Sequence, residues 1–311
     1  MSRPLYKDLN STLRTRFGCR VQKITIDAGL TCPNRDGKTG TGGCIYCNRL
    51  GSGTGASVRL TVREQLAIGK EALQRRYGAA KFIAYFQSFT NTYAPAGKLE
   101  KLYREALSVP GIAGLEIGTR PDCLEESILE LLSRLGEETY VCIEIGLQSA
   151  HDRTLRLINR GHDFLQFADA AARCRSRGLD VCVHVILGLP GESRKDMLAT
   201  ARILSGIDFQ GIKIHLLYVV RDTPLHRLYA AGEYRCLERE EYFDLVGDFL
   251  SLLPPSIAIH RLTGDPHPAE LVAPAWALEK QKNLNGIRES LREKQLWQGK
   301  YFRLPVPEPG G

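Results

Sequence analysis

Cys32-Pro33-Asn34-Arg35-Asp36-Gly37 and, after four more residues, Gly42-Gly43-Cys44-Ile45-Tyr46-Cys47 form the stretch that decides the fold of this chain of 311 residues. Three cysteines lie close together in sequence, and the loop that carries them is rich in glycine. Glycine allows a backbone to wrap around a compact group without steric cost. A 4Fe-4S cluster requires thiolate sulfurs that converge on one small cube. The stretch therefore predicts an iron–sulfur cluster bound by Cys32, Cys44 and Cys47.

Three thiolates leave one iron of such a cluster without a protein ligand. That iron can chelate the amino and carboxylate groups of S-adenosylmethionine (SAM), through which the cluster delivers an electron to the sulfonium and generates a carbon radical. A structural zinc site is the alternative for these cysteines. Zinc needs a fourth Cys or His in a closed tetrahedral set, and no histidine precedes His151.

The cysteine pattern resembles that of the radical SAM superfamily. The usual Cys-x3-Cys-x-aromatic-Cys motif keeps its second half as Cys44-Ile45-Tyr46-Cys47, while the first spacing is lengthened to eleven residues. The long spacing resembles the branch related to the catalytic subunit of Elongator, and within it the bacterial YhcC/YtqA (MnmL-like) family over nearly the whole chain. Four further runs carry this resemblance: Thr119-Arg120-Pro121-Asp122, Gly146-Leu147-Gln148-Ser149, Asn159-Arg160-Gly161-His162 and Arg261-Leu262-Thr263-Gly264-Asp265.

Length and composition are consistent with one α/β barrel-like domain, because 43% of the residues are hydrophobic. The nine cysteines are an odd number in a long chain, and no apolar signal segment follows Met1, so we expect a reducing cytoplasm rather than disulfides. No apolar run approaches the roughly 20 residues of a membrane-spanning helix. We therefore expect no membrane segment.

The net charge of +7 is concentrated at the two ends of the chain. Residues 1–23 contain six Lys or Arg against Asp8 alone, and residues 280–303 contain seven against Glu289 and Glu293. These ends are a plausible binding surface for phosphates. Ordinary solvated helix faces would explain the same pattern.

Apolar runs alternate with helical patterns along the chain. This order predicts six repeats of strand and helix, and hence a parallel sheet. Superfamily resemblance implies an α/β fold that is an incomplete (β/α)6 radical SAM barrel: residues 21–260 as core, a basic N-terminal extension at 1–20, and a helical C-terminal extension at 261–311 with a disordered tail from Leu304. The predicted strands are Val21–Asp27, Lys81–Gln87, Gly114–Gly118, Tyr140–Leu147, Asp180–Leu187 and Gly211–Val219, with a possible seventh at Ile257–His260.

Active sites of such barrels lie at the carboxyl ends of the strands. The resemblance implies that Tyr46 lies against the cofactor and that Gln87 and Ser88, with Thr90, replace the missing Gly-Gly-Glu edge that usually binds the methionine amino group. It also implies that Glu144 and Gln148 contact ribose or methionine. Gly188 would allow adenine to approach the backbone.

Arg120 and Arg160 are predicted to bind a carboxylate or the substrate, since a guanidinium forms paired hydrogen bonds with a carboxylate. Structural ion pairs would explain both residues equally well. Cys123 is a candidate hydrogen-atom donor, although most lone cysteines are small buried apolar groups.

These features predict a radical SAM enzyme with a 4Fe-4S cluster and SAM as cofactors, in which a 5'-deoxyadenosyl radical takes a hydrogen atom from the substrate. The YtqA-type resemblance implies the anticodon region of tRNA as partner, with conversion of wobble 5-carboxymethylaminomethyluridine to 5-aminomethyluridine, and a reductant such as flavodoxin or ferredoxin. The alternatives are a small-metabolite or protein substrate, and a non-catalytic iron–sulfur redox sensor or regulatory protein.

Overall fold

The computed structural model describes residues 3–49, 51 and 60–303. Its main sheet consists of seven strands: β1 Val21–Ile26, β2 Lys81–Phe86, β3 Ile112–Thr119, β4 Tyr140–Gln148, β5 Asp180–Leu187, β6 Gly211–Leu216 and β8 Ala258–Arg261. All neighbouring pairs are parallel, in the order β1–β2–β3–β4–β5–β6–β8. A second small sheet pairs β7 Val219–Val220 with β9 Leu271–Ala273.

The described residues form ten α-helices. They are α1 Leu9–Phe17, α2 Val62–Tyr77, α3 Ala96–Leu107, α4 Glu126–Glu138, α5 Asp152–Leu157, α6 Phe164–Ser176, α7 Arg194–Leu204, α8 Pro224–Ala230, α9 Arg239–Leu252 and α10 Lys280–Glu293. At α2 the Thr61 hydroxyl accepts from the Glu64 N–H while the Glu64 carboxylate accepts from the Thr61 N–H. This capping box fixes the start of the helix.

The sheet curls into an open barrel. Lys23 and His260 lie on the first and last strands in sheet order, yet the Lys23 Nζ is 3.4 Å from the His260 Nδ1. Side chains alternate between two environments, as strand geometry requires. On β4, for example, Val141 and Ile143 belong to the apolar core, whereas Glu144 faces the interior of the barrel. The predicted α/β barrel is confirmed, with the possible seventh strand present.

One strand boundary was predicted wrongly. The run Gly211–Val219 was expected to be a single strand, but β6 ends at Leu216. Val219 instead pairs with Ala273 in the second sheet. Apolar residues continue past Leu216 in the sequence, and their pattern does not reveal which strand will pair with them.

Helix α1 closes the amino end of the barrel. Its one buried residue, Leu13, packs against Val21, Tyr140, Cys142 and further side chains from the beginnings of the inner strand faces. The sequence pattern did not predict this helix, because a single buried apolar position produces no clear helical periodicity.

The two basic ends of the chain meet at this same amino end. The Lys7 carbonyl accepts from the Ile259 N–H at 2.8 Å, and the Gln298 N–H donates to the Leu5 carbonyl at 2.9 Å. Several of the basic side chains have local partners, such as Arg16 with Asp180 at 2.9 Å. Leu5, Lys7 and Gln298 therefore lie at the opposite end of the barrel from the strand termini that carry the cysteine loop, whereas Lys280 pairs with Asp265, which follows the carboxyl end of β8.

None of the helices in the described part of the chain is long and apolar enough to span a membrane. The predicted disordered tail, Leu304–Gly311, lies outside the described residues.

Candidate active site

The cysteine loop follows β1 and is shaped by tight backbone turns. The Cys32 carbonyl accepts from the Arg35 N–H at 2.9 Å, and the Cys44 carbonyl accepts from the Cys47 N–H at 2.9 Å. Gly43 has a φ of 78°, a conformation that is costly for a residue with a Cβ. These turns bring Cys32, Cys44 and Cys47 to the wall of one cavity at the carboxyl ends of the strands.

Two arginines contact the cysteine sulfurs. Arg35 donates from Nη2 to the Cys47 Sγ at 3.0 Å, and Arg160 donates from Nη1 to the Cys44 Sγ at 3.6 Å. Burial opposes ionisation of Cys44, but Arg160 outweighs it and lowers the pKa of this thiol below its ordinary value. For Cys47, burial outweighs the effect of the Arg35 charge and raises the pKa of the thiol to about 11. Arg160 therefore favours the thiolate form that a metal ligand requires.

The spacing of the three sulfurs distinguishes a cluster from a zinc ion. The Sγ atoms of Cys32, Cys44 and Cys47 do not all lie within 4.8 Å of one another. Thiolates around one tetrahedral zinc, with Zn–S bonds of about 2.3 Å, would be about 3.8 Å apart. A 4Fe-4S cube binds each thiolate through a different iron and separates them further. The three thiols fit the cluster.

The segment after β2 offers hydrogen-bonding groups to a ligand. Gln87 and Thr90 line the cavity. The hydroxyls of Ser88 and Thr90 are buried and have no hydrogen-bond partner among the described residues. Burying an unpaired hydroxyl is costly. The Thr90 hydroxyl is thus available to the methionine end of SAM, whereas Ser88 lies outside the cavity lining. The role predicted for Gln87 and Ser88, in place of the missing Gly-Gly-Glu edge, stays a prediction.

Arg120 is fully buried and already occupied. Its Nε and Nη2 donate to the two carboxylate oxygens of Asp122 at 2.8 and 2.9 Å. Its Nη1 and Nη2 donate to the carbonyls of Arg160 and Gly161 at 2.6 and 3.2 Å. These contacts use four of the five N–H groups of a guanidinium. Arg120 thus joins two of the sequence runs that carry the family resemblance, and its predicted carboxylate-binding role stays a prediction.

Arg160 is also buried and occupied. Besides Cys44, it donates from Nε to the His162 Nε2 at 2.8 Å and from Nη2 to the Gly146 carbonyl at 2.7 Å. A Cβ added at Gly146 would lie 2.6 Å from both the Arg160 Nη2 and the Gln148 Nε2. The missing Cβ at Gly146 therefore leaves room for two side chains. Arg160 reaches the cysteine loop through this space, and Gln148 lines the cavity next to it.

Glu144 lies at the centre of a buried network inside the barrel. Its carboxylate accepts hydrogen bonds from Lys213 and from the His184 Nε2 at 2.9 Å, and lies 3.5 Å from the Lys23 Nζ. Lys23 forms a second, shorter ion pair with Glu116. Buried charges are stable in proteins only when paired in this way. Two sets of His, Cys and carboxylate side chains here have the spacing of metal ligands. The ammonium groups of Lys23 and Lys213 already balance the negative charge of these carboxylates.

Burial and pairing shift the pKa values of this network in opposite directions. Although burial opposes it, Lys213 and Lys23 hold the pKa of Glu144 well below its ordinary value. For Glu116 burial prevails over Lys23 and raises the pKa to about 8. Burial and the Lys213 charge lower the pKa of His184 to about 4. Glu144 therefore remains ionised at neutral pH while His184 is neutral.

Three further predicted site residues differ in their position relative to the cavity. Tyr46 lines the cavity, as a cofactor contact would require. The backbone of Gly188, with φ 91°, is engaged on both sides: its N–H contacts the Met197 sulfur at 3.1 Å and its carbonyl accepts from the Tyr234 hydroxyl at 2.9 Å. Cys123 is buried, and burial raises its pKa to about 12. The roles predicted for these residues stay predictions.

Comparisons with known proteins agree with this site. A model described as the Radical SAM superfamily matches residues 35–204, and one described as the Radical_SAM C-terminal domain matches residues 209–293. The chain is 40% identical over 299 residues to YtqA of Bacillus subtilis (strain 168), covering 96% of this chain and 93% of YtqA. It is 37% identical over 288 residues to YhcC of Escherichia coli (strain K12), covering 89% and 92%.

The chain belongs to the YhcC/YtqA family of radical SAM enzymes. Its cofactors are a 4Fe-4S cluster and SAM, so the structural zinc and redox-sensor alternatives are set aside. The superfamily match begins after Cys32, so the assignment of this third ligand depends on the loop geometry. A solved structure of archaeal Elp3 from Methanocaldococcus infernus shares the fold, with a TM-score of 0.68 at 18% identity over 89% of this chain and 64% of that chain.

Sequence reasoning missed part of this radical SAM site. Glu144 on β4 was among the predicted site residues, but Lys23, Glu116 and Tyr85 were not. Each is a polar group within an apolar strand, which is the same signal. Arg35 was missed because a loop has no periodicity to reveal where its side chains point.

Proposed function

We propose that this radical SAM enzyme converts 5-carboxymethylaminomethyluridine at the wobble position of tRNA to 5-aminomethyluridine. Loss of a hydrogen atom from the carboxymethyl carbon to the 5'-deoxyadenosyl radical, and of one electron to a one-electron acceptor such as the oxidised cluster, would give an imine. Water would then hydrolyse this imine, breaking the bond between the nitrogen and the carboxymethyl carbon and releasing the 5-aminomethyl amine, glyoxylate and a proton.

The observation that carries the proposal is the charge on the cavity wall, where Arg35, Arg120, Arg160 and Arg261 outnumber Glu144 and Glu270 by two. A partly buried surface with surplus positive charge favours a substrate that carries an anion, and this modified uridine carries a carboxylate.

The cofactors supply the difficult chemistry: when bound and reduced, the cluster cleaves SAM to methionine and a 5'-deoxyadenosyl radical, which takes a hydrogen atom from the substrate. The chain's own residues bind and orient these groups. Cys32, Cys44 and Cys47 hold the cluster, and Arg160 favours the Cys44 thiolate. Gln87 and Thr90 provide hydrogen-bonding groups for the methionine end of SAM.

Tyr46 and the inner strand faces enclose the reacting groups and limit the access of water. The proposed partners are the anticodon region of tRNA, which would enter the cavity from the carboxyl ends of the strands, and a flavodoxin-like or ferredoxin-like reductant. The basic N-terminal segment does not support this docking, because it lies at the amino end of the barrel. The proposed tRNA contacts therefore surround the cavity mouth instead.

The test combines the anaerobically reconstituted enzyme, SAM, dithionite and tRNA that carries 5-carboxymethylaminomethyluridine. Mass spectrometry of the digested nucleosides should show 5-aminomethyluridine together with 5'-deoxyadenosine. The Cys44→Ala variant, which lacks a cluster ligand, should yield neither. Cofactor cleavage without any change in the tRNA nucleosides would reject the tRNA substrate and favour a small metabolite or a protein.

A further inference from the structure

We infer that Arg261 binds the carboxylate of the substrate, an inference that rests on the proposed function. Arg261 ends β8, and its partly buried side chain lines the same cavity as the three cysteines. Across residues 3–49, 51 and 60–303, no acidic side chain pairs with Arg261 and no hydrogen bond engages its guanidinium. The described residues thus leave its hydrogen-bond donors available to a ligand.

A register shift in the sheet brings this side chain inside the barrel. Regular pairing of β6 with β8 would place His260 opposite Lys213, but Arg261 occupies that position. Such a bulge directs two successive side chains to one face. His260 lies inside, with its Nδ1 3.4 Å from the Lys23 Nζ, and Arg261 follows it toward the cavity mouth. Simple alternation along β8 would have pointed Arg261 away from the cavity.

The two cavity arginines that the sequence suggested lack this freedom. Arg120 donates hydrogen bonds to Asp122 and to two backbone carbonyls. Arg160 contacts Cys44, His162 and the Gly146 carbonyl. Binding a carboxylate at either position would require one of these buried contacts to break. Arg261 requires no such exchange, so the structure favours it over the two arginines that the sequence suggested.

The surroundings of Arg261 also favour an anion. Burial, then neighbouring positive charges that include Arg261, lower the pKa of His184 and His215, so these side chains are neutral. Lys213, next to Arg261 across the sheet, shares its one carboxylate partner, Glu144, with Lys23. A carboxylate ligand would accept paired hydrogen bonds from the Arg261 guanidinium and offset this surplus positive charge.

SAM itself carries a carboxylate, but its place is different. The cysteine loop and the unpaired hydroxyls of Ser88 and Thr90 follow β1 and β2. Arg261 ends β8, which is hydrogen-bonded to β6 and not to β1 or β2. The methionine end of SAM is therefore assigned to the β1–β2 side. The substrate carboxylate is assigned to the β8 side.

The test measures binding of anticodon stem-loop RNA to the holoenzyme with SAM present and no reductant. One RNA carries 5-carboxymethylaminomethyluridine, and a matched RNA carries the neutral carboxamide in place of the carboxylate. The native enzyme should bind the carboxylate RNA about tenfold or more tightly, as expected for a charge-assisted hydrogen bond. Arg261→Gln should bring this ratio close to one without changing the affinity for the carboxamide RNA. Arg261→Lys should retain only part of the ratio, because an ammonium cannot form the paired contact.

Arg221→Gln is the matched control, since Arg221 is an exposed arginine outside the cavity lining, and it should keep the native ratio. A native ratio in both Arg261 variants would overturn the inference while leaving the proposed function intact. Weaker SAM binding and less 5'-deoxyadenosine in both Arg261 variants would also overturn it, since Arg261 would then hold the cofactor. Failure of the native enzyme to convert the tRNA, tested separately, would count against the proposed function.

Discussion

The Nη1 of Arg160 lies 3.6 Å from the Sγ of Cys44, so a buried guanidinium contacts a predicted ligand of the cluster. Positive charge and hydrogen bonds at the sulfurs stabilise the reduced, more negative form of an iron–sulfur cluster. Arg160 is thereby in a position to set how readily the cluster accepts an electron.

Replacing Arg160 with Gln should lower the midpoint potential of the cluster, on the order of tens of millivolts. A redox titration followed by electron paramagnetic resonance measures this directly. Arg156→Gln, an exposed arginine on α5, should leave the potential unchanged. An unaltered potential in Arg160→Gln would show that this contact has no electronic role.

Replacing Cys44 with Ala should abolish stable binding of the cluster, because only two thiolates would remain. The native enzyme, reconstituted without oxygen, should contain about four irons and four sulfides. Iron and sulfide analysis, with the visible absorption spectrum, measures the loss. Cys174→Ala removes a buried thiol of the apolar core and should keep the native iron content. Full iron content in Cys44→Ala would remove Cys44 from the ligand set.

Replacing Asp122 with Asn should destabilise the fold by about 3–5 kcal/mol, because it leaves the buried guanidinium of Arg120 without its counterion. The Arg120 side chain is 2% exposed. Arg104→Gln breaks an ion pair with Glu138 whose side chains are 47% and 53% exposed, and it should cost under about 1 kcal/mol. Urea unfolding measures both. Equal costs would contradict the structural role of the Arg120–Asp122 pair.

Stability should fall as the pH falls from 6.5 toward 4, partly because of His184. Burial, Lys213 and Arg261 lower its pKa to about 4, although Glu144 opposes them. Between these values the unfolded chain binds a proton that the folded chain does not, which costs up to about 1.4 kcal/mol per pH unit for one group. Above 6.5 the histidine is neutral in both states, so this cost disappears.

His184→Gln should therefore reduce the slope of the unfolding free energy against pH between pH 4 and 6.5. The reduction should be at most the slope that one bound proton produces. His267→Gln replaces an exposed histidine and provides the control. An unchanged slope in His184→Gln would show that His184 does not contribute to the acid sensitivity.

Local signals in the sequence were sufficient to predict the barrel and to propose the ligands of the cluster. Cys44-Ile45-Tyr46-Cys47 and the glycines around it lie within one loop, so their spacing alone predicted the ligands. The strands are mostly apolar because both faces of a parallel sheet are largely buried. These properties depend on neighbours in sequence, which a single chain displays directly.

Tertiary structure alone decided which charges meet. Lys23, Glu116 and Glu144 come from three strands that only the curled sheet brings together. A one-residue register shift, invisible in the sequence, turned Arg261 into the cavity. Because α1 packs against the amino end of the barrel, the basic N-terminal segment lies away from the cavity mouth. Composition and spacing report which groups a chain contains, whereas their pairing depends on register and closure, which are set by the sum of long-range contacts.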